Sequence, residues 1–169
     1  MGPIIWFLGI QVLHNWANKK LWLLQDSYIN KIANQFHLTH KQPGKHLFTP
    51  ITIDGLALFK GQSTDAKWYK YMQKVSSLLY ITIITHPDTA KAANRLAEFT
   101  INPGPNHIKA VNHTIFYLFH THYYTLQYLA LSRNSEEVFI CTSDAAHGDL
   151  ISWKSSEGYL CKLFNTAID

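Results

Sequence analysis

A single proline divides the most apolar part of the chain, residues 75–99. The segment before it is apolar on nearly every side, through Val75, Leu78, Leu79, Tyr80, Ile81, Ile83 and Ile84. Such a segment is typical of a helix or a strand that is buried on most sides. Its β-branched residues favour a strand, but Thr64 and Asp65 mark a helix start whose apolar spacing continues into it. We therefore predict a helix.

Pro87 predicts where this helix ends. It disfavours the α conformation at His86 and can occupy the first turn of a second helix, where Asp88 complements the helix dipole. We expect residues 76–85 to be helical and buried, and the two helices to form a helical hairpin. The apolar run is far shorter than the roughly 20 residues that span a bilayer, so we expect no transmembrane segment.

The N-terminal region predicts a β-hairpin. Two apolar runs, residues 6–12 and 21–24, flank a polar patch at residues 14–20. Gly9 lies inside the first run, where a missing side chain indicates a bulge or the close approach of another backbone. The N-terminus lacks the charged region and cleavage site of a signal peptide. We expect an intracellular protein, cytoplasmic or nuclear.

Two helix starts can be placed from capping residues. Asp26 or Ser27 can cap a helix whose apolar face continues to Phe36. Turn-forming residues then predict an exposed linker over residues 37–61. Asn106, which follows a Pro-Gly-Pro sequence, can cap a further helix with an apolar stripe.

Composition excludes some classes of protein. With 169 residues, of which 47% are hydrophobic, the chain can bury a sizeable core and is not generally disordered. Its net charge of +4 is compatible with nucleic acid, but Arg95 and Arg133 are the only arginines, so bidentate reading of guanine is not its main activity. Cys141 and Cys161 do not form a disulfide framework, and we expect free, buried thiols on neighbouring antiparallel strands.

Motifs spread over the chain resemble Ty1/copia-type retrotransposon polyproteins, in the region downstream of the polymerase palm. The core motifs are Tyr71, residues 75–80, Thr85-His86-Pro87-Asp88 and residues 93–96. The flanking motifs are Gly2-Pro3, Phe7-Leu8-Gly9-Ile10, Leu24-Gln25, Tyr28-Ile29, Thr49-Pro50, Ser143-Asp144-Ala145-Ala146 and residues 154–164. Ser76 and His86 stand where the family usually has Gly and Arg, which indicates a diverged copy.

The resemblance implies that the hairpin corresponds to the primer grip of the polymerase. Its backbone would support a primer strand, and the basic pair would lie near phosphates. The nucleic-acid-binding residues implied in this way are Phe7, Leu8, Gly9, Ile10, Lys19 and Lys20. Two solvated lysines on an ordinary hairpin are the alternative interpretation. The family's paired polymerase aspartates would lie upstream of this hairpin.

The resemblance also implies one catalytic position. Residues 138–142 predict a short strand that ends near Asp144, which matches the first-strand aspartate of ribonuclease H. That enzyme holds two Mg²⁺ ions with several carboxylates, and the family's other carboxylates are not matched here. Asp144 is thus the candidate catalytic residue and a weak metal ligand in an incomplete site, and we expect no Mg²⁺ to bind tightly.

These inferences predict an α+β fold. Residues 1–61 would form the hairpin, a thumb-like helix and a linker, residues 62–132 a helical connection, and residues 133–169 the start of a mixed ribonuclease H-like sheet. The function expected is that of a truncated, catalytically inactive fragment of a reverse transcriptase/ribonuclease H polyprotein, whose partner is an RNA–DNA hybrid or primer-template. The alternatives are a non-enzymatic nucleic-acid binder and a protein-interaction remnant that self-associates through exposed sheet edges.

Overall fold

The computed structural model describes residues 2–39, 49–51, 56–129, 138–148, 155–163 and 166–168. The strands are β1 (Trp6–Phe7), β2 (Ile10–Asn15), β3 (Lys20–Leu24), β4 (Leu126–Leu129), β5 (Phe139–Ala146), β6 (Ser156–Leu163) and β7 (Thr166–Ala167). The helices are α1 (Asp26–Gln35), α2 (Asp65–Ile84), α3 (Ala90–Ala97) and α4 (Pro105–His120), with a 3-10 turn at Pro87–Thr89. The predicted α+β class is confirmed.

Helix α2 forms as the sequence predicts. It begins after Thr64 and ends at Thr85, and the chain restarts as a 3-10 turn with Pro87 in its first turn. Burial along the helix is less even than predicted. Leu78 is fully buried, but Ser76 and Ile83 face solvent, because one side of the helix has no element packed on it among the described residues.

The core lies among the four helices. Its largest fully buried side chains come from all of them: Ile29, Tyr71, Leu78, Ile81, Leu96, Ile115 and Leu118. The Tyr71 hydroxyl donates a hydrogen bond of 2.7 Å to the Leu96 carbonyl oxygen and so ties α2 to α3. Burial of these side chains is the main contribution to the stability of this region.

The predicted N-terminal hairpin is present but contains an additional turn. Leu8 and Gly9 form a two-residue turn between β1 and β2, with φ of 48° and 79°. Positive φ at both central positions is the type I′ requirement, which glycine meets without steric cost. The prediction that Gly9 lies within a strand is therefore wrong, since the turn reverses the chain there.

Strand β4, which follows α4, returns to the N-terminal hairpin. It pairs antiparallel with β3, so the sheet order is β1-β2-β3-β4. Trp22 Nε1 donates a hydrogen bond of 3.2 Å to Gln127 Oε1 across this pairing. The sheet thus joins the two ends of the helical region.

The helix caps differ from the predicted ones. Gln25 is the N-cap of α1, so Asp26 and Ser27 lie in its first turn. Gly104 is the N-cap of α4 and Asn106 is its second residue. Neither N-cap residue makes a side-chain capping hydrogen bond, and in α4 the Gly104 amide donates a hydrogen bond to the ring of His107.

The C-terminal sheet contains β5, β6 and β7, all antiparallel. The parallel pairing implied by a mixed sheet is not among the strands described. Cys141 and Cys161 are on neighbouring antiparallel strands, as predicted, but they form a disulfide. The prediction of free, buried thiols is wrong because the register sets the two residues directly opposite each other, where their sulfur atoms meet, and Cys141 is exposed.

The three-part division of the chain remains a prediction. Contacts cross both predicted boundaries: α1 packs against α4, and β4 touches β7, where Tyr128 donates a hydrogen bond of 3.3 Å to the Ala167 carbonyl oxygen. Much of the predicted linker, residues 40–48 and 52–55, lies outside the described residues. Within the part that is described, no helix has the length and apolar character needed to cross a membrane.

Candidate nucleic-acid interface

The β1–β2 turn presents an exposed apolar surface. Phe7 is 59% exposed and Leu8 is 74% exposed, and Ile4, Ile5 and Trp6 are exposed just before them. A run of large apolar side chains in water is unfavourable, which makes this surface a candidate for contact with another molecule. The four predicted residues 7–10 all lie on this turn or beside it.

A tyrosine of the helical core holds the turn in place. Tyr80 on α2 donates a hydrogen bond of 2.6 Å to the carbonyl oxygen of Leu8, and its ring meets Tyr28 of α1 edge-on at 5.0 Å. The turn therefore has a defined position relative to two helices. A backbone that must support another strand needs such anchoring.

The two predicted lysines lie at the opposite end of β2. Lys19 is in the β2–β3 turn and Lys20 begins β3. Strand β2 has six residues, which at about 3.3 Å per residue separates its ends by roughly 17 Å. The fold therefore does not bring the six predicted nucleic-acid residues together, but divides them between two turns.

An open groove of about 320 Å³ lies beside these lysines. It is lined by His14, Asn15, Trp16, Lys19, Lys20, Leu21, Tyr128 and Leu129. The aromatic members of this set were not among the residues predicted from the sequence. Trp16 inside an otherwise polar turn was the available signal, but Tyr128 is more than one hundred residues away and reaches the groove only through the β3–β4 pairing.

Motif residues from two parts of the chain meet in a buried polar cluster. Thr85 donates a hydrogen bond of 2.7 Å to Oε1 of the buried Gln25, joining the α2 end to the α1 start. Nearby, His86 Nδ1 lies 3.4 Å from Asp88 Oδ1, and the Tyr117 hydroxyl donates a hydrogen bond of 2.8 Å to Asp88 Oδ2. These motif residues connect helices, and none of them faces the two turns.

The surroundings of Asp88 and Tyr117 shift the pKa values of both groups. Burial opposes ionisation of Asp88, but the nearby His86 ring and the hydrogen bond from Tyr117 outweigh it and hold the pKa of Asp88 below its usual value. Burial and the adjacent carboxylate raise the pKa of Tyr117. Asp88 is thus ionised and Tyr117 neutral at neutral pH, which is the arrangement that keeps the hydrogen bond between them.

The candidate catalytic residue, Asp144, is exposed on β5 opposite Gly158 of β6. Glu157 is opposite Ala145, one position along, so it projects from the other face of the sheet. Asp149 is outside the described residues. Asp144 therefore has no second carboxylate beside it on its face of the β5–β6 pair.

This donor set does not fit a tightly bound Mg²⁺. The ion gives up its waters only for several anionic oxygen ligands. In the ranges that the structure describes, no three His, Cys, Asp or Glu side chains lie close enough together to hold a metal ion. Among the described residues, Asp144 alone does not supply the set of anionic ligands that Mg²⁺ needs.

The comparisons with known proteins support a retrotransposon polyprotein as the class of protein to which this chain is related. Over 99% of its length the chain is 30% identical to the "Retrovirus-related Pol polyprotein from transposon TNT 1-94" of Nicotiana tabacum. It covers 13% of that protein.

A second relative matches over a shorter part of the chain. It is the "Secreted RxLR effector protein 161" of Plasmopara viticola, 34% identical over 94 residues, which are 55% of this chain and 64% of that protein. The chain therefore spans less than two thirds of both relatives. No family model and no solved structure matches it.

Proposed function

We propose that the chain is a segment of a Ty1/copia-type reverse transcriptase/ribonuclease H polyprotein, and that it binds an RNA–DNA hybrid or primer-template without catalysing a reaction. It would comprise the primer-grip-like hairpin, the thumb-like helix, the connection and the first ribonuclease H strands. The similarity to a retrotransposon Pol polyprotein over 99% of the chain is the observation that carries this proposal.

The contact between Tyr80 and Leu8 supports the hairpin's role. Both residues belong to motifs that resemble the family, and they are 72 positions apart in the chain. Their hydrogen bond holds an exposed turn at a defined place, as primer support requires. The exposed side chain of Phe7 then contacts the nucleic acid, and the net charge of +4 favours its approach.

Binding of a fluorescein-labelled blunt RNA–DNA hybrid, followed by fluorescence anisotropy, tests this function. We expect affinity to fall between about 50 mM and about 200 mM KCl, because phosphate contacts release counterions. Phe7→Ser should weaken binding. Ile101→Ser is the matched control, since Ile101 is an exposed apolar residue 89% accessible between α3 and α4, and it should bind as wild type does. Failure of the wild-type chain to bind at low salt would contradict the proposal.

A protein-interaction remnant is the second candidate, and one specific observation favours it. Strand β1 is an outer strand of its sheet and includes the exposed Trp6, and the exposed Ile4 and Ile5 directly precede it. An unpaired edge next to apolar side chains is a site for pairing with another chain. Sedimentation would then show self-association that salt does not weaken, and Phe7→Ser would reduce it.

A further inference from the structure

The β2–β3 turn holds a tryptophan in an unusual exposed position. Trp16 is 72% exposed, yet its ring lies parallel to that of His14, with 4.7 Å between centroids and 3° between planes. The imidazole stacks on one face of the indole, while most of the side chain stays exposed and lines the groove. An aromatic ring held in this way is a ready surface for stacking another flat ring.

The backbone of the turn fixes the position of this ring. The Asn18 amide donates a hydrogen bond of 3.0 Å to Asn15 Oδ1, and the Lys19 amide donates one of 3.3 Å to the Trp16 carbonyl oxygen. Lys19 adopts a left-handed conformation with φ of 51°, which closes the turn. Trp16 is therefore carried on a defined turn rather than on an irregular loop.

The wall of the groove comes from the sheet. His14 is paired opposite Leu21, and Leu21 opposite Tyr128, so these three side chains form a row on one face across β2, β3 and β4. The Tyr128 hydroxyl donates a hydrogen bond to the Ala167 carbonyl oxygen, which orients the ring. Burial raises the pKa of that hydroxyl. The groove is thus aromatic and apolar along this row.

The charge beside the groove has one sign. Lys19 and Lys20 are among its lining residues, and none of the described lining residues is acidic. A ligand that combines a flat ring with negative charge satisfies both features. A nucleotide within a nucleic acid is such a ligand, since its base stacks and its phosphates pair with lysine.

We propose that this groove binds an unpaired nucleotide of single-stranded nucleic acid, with the base stacked on Trp16 and the flanking phosphates held by Lys19 and Lys20. The inference deepens the proposed nucleic-acid function and rests on it for the class of ligand. A single strand fits better than a duplex because paired bases already have both faces stacked. The groove volume, about 320 Å³, is at the lower end of sites for small flat ligands.

The site is about one strand length from the β1–β2 turn. The two turns lie at opposite ends of β2, so a duplex held at Phe7 and a single-stranded extension held at Trp16 can be bound together if the extension runs along the hairpin. Because the two turns are separate, two forms of the same hybrid can distinguish them. A blunt hybrid reports on the first turn, and the same hybrid with a single-stranded extension of about 12 nucleotides reports on both.

We expect the extension to tighten binding of wild-type chain about tenfold, within the range measured for stacking of a base on an aromatic side chain. Trp16→Ala should remove that gain and leave blunt-hybrid binding unchanged, whereas Trp16→Phe should retain most of it. The matched control is Trp68→Ala, because Trp68 is a partly exposed tryptophan in the first turn of α2 and is not a lining residue. It should keep the full gain.

A double substitution tests the phosphate contacts. Lys19→Gln with Lys20→Gln should lower the salt slope measured with the free single strand by about 1.4, or about 0.7 for each phosphate contact. Circular dichroism confirms that each variant is folded. A gain that persists in Trp16→Ala, or no gain in wild type, overturns the inference. If the wild-type chain does not bind the blunt hybrid but binds the free single strand in a Trp16-dependent way, the proposed function is contradicted. The inference about the groove then still holds.

Discussion

Helix α2 and strand β5 occupy very different environments. In α2 the side chains of Leu78 and Ile81 are almost completely buried among the other helices. In β5 every residue is exposed except Ile140, which is half-buried. Among residues of the C-terminal sheet whose burial is described, Thr166 alone is buried.

The two regions therefore depend on different interactions. The helices gain stability from apolar burial, which is large and cooperative. The β5–β6 hairpin has its backbone ladder and one disulfide, and a hairpin of two strands is marginally stable in water without an apolar face to bury. The difference indicates that the helical region can fold without the C-terminal hairpin. The hairpin, in contrast, does not fold without the helical region.

The largest expected effect is in the core. Leu78→Ala should lower the free energy of unfolding by about 3 kcal/mol, because it removes buried methyl groups and leaves a cavity. Ile83→Ala is the matched control on the same helix, since Ile83 is 72% exposed and its loss should cost less than about 0.5 kcal/mol. Urea unfolding followed by circular dichroism measures both. Equal losses would show that the exposed side of α2 is covered in solution.

The second prediction concerns the hairpin. Reduction of the Cys141–Cys161 disulfide should lower the free energy of local opening of β5 and β6 by roughly 3 kcal/mol. The two cysteines are 20 positions apart, and closing a loop of about this length restricts the unfolded chain by that amount. Hydrogen exchange should accelerate in these strands and stay unchanged in α2 and α4.

A thiol count provides the control for this experiment. Denatured, unreduced chain should have no reactive thiols, and reduced chain should have both. Thiols in the unreduced chain would restore the interpretation made from the sequence. Exchange that also accelerates in α2 would show that the two regions are coupled, contrary to the comparison above.

Local signals in the sequence were sufficient for the helices. The end of α2 could be predicted because Pro87 acts on the residue before it, and the apolar face of α1 because its spacing is regular. The Leu8–Gly9 turn could not, because the apolar run on both sides of it is equally compatible with one continuous strand. The β3–β4 pairing depends on residues that are distant in the chain, and no local pattern indicates it.

The candidate site was predictable to a similar extent. The residues of both turns were named from the resemblance. Strand β2 separates the two turns, and the Leu8–Gly9 turn at its start was not evident from the sequence. Similarly, no sequence pattern indicated that Gly104, and not Asn106, is the N-cap of α4. The ring of His107, the third helical residue, accepts the Gly104 amide hydrogen bond because it is buried against the helix start.

The third prediction uses this histidine to test the helical region alone. His107 Nδ1 accepts a hydrogen bond of 2.8 Å from the Gly104 amide, and Nε2 lies 3.0 Å from the Ala57 carbonyl oxygen. The ring is therefore neutral with its proton on Nε2. Burial lowers the pKa of His107, outweighing the Ala57 contact, and the charge of Arg95 lowers it further.

The sign of the pH effect follows from that shift. Below about pH 6.5 the unfolded chain binds a proton at His107 that the folded chain resists, so stability should fall as the pH drops below that value. His107→Gln should be less stable at about pH 7.5 but lose less on acidification to about pH 5. His147→Gln, at an exposed position next to β5, is the control and should keep the wild-type pH dependence. The same dependence in all three chains would assign the effect to other groups.

The smallest expected effect is at Asp144. Asp144→Asn should change neither stability nor activity, because the side chain is exposed and has no carboxylate beside it on its face of the β5–β6 pair. Cleavage of RNA in a hybrid requires two metal ions held by several carboxylates, and primer extension requires the palm aspartates that the family resemblance does not match to any residue here. Purified chain in Mg²⁺ should therefore do neither.

Cleavage that disappears only in Asp144→Asn would mean that other carboxylates complete the site. Cleavage gained on fusion to the downstream segment of a related polyprotein, and lost again in Asp144→Asn, would instead place Asp144 correctly in a site that needs those partners.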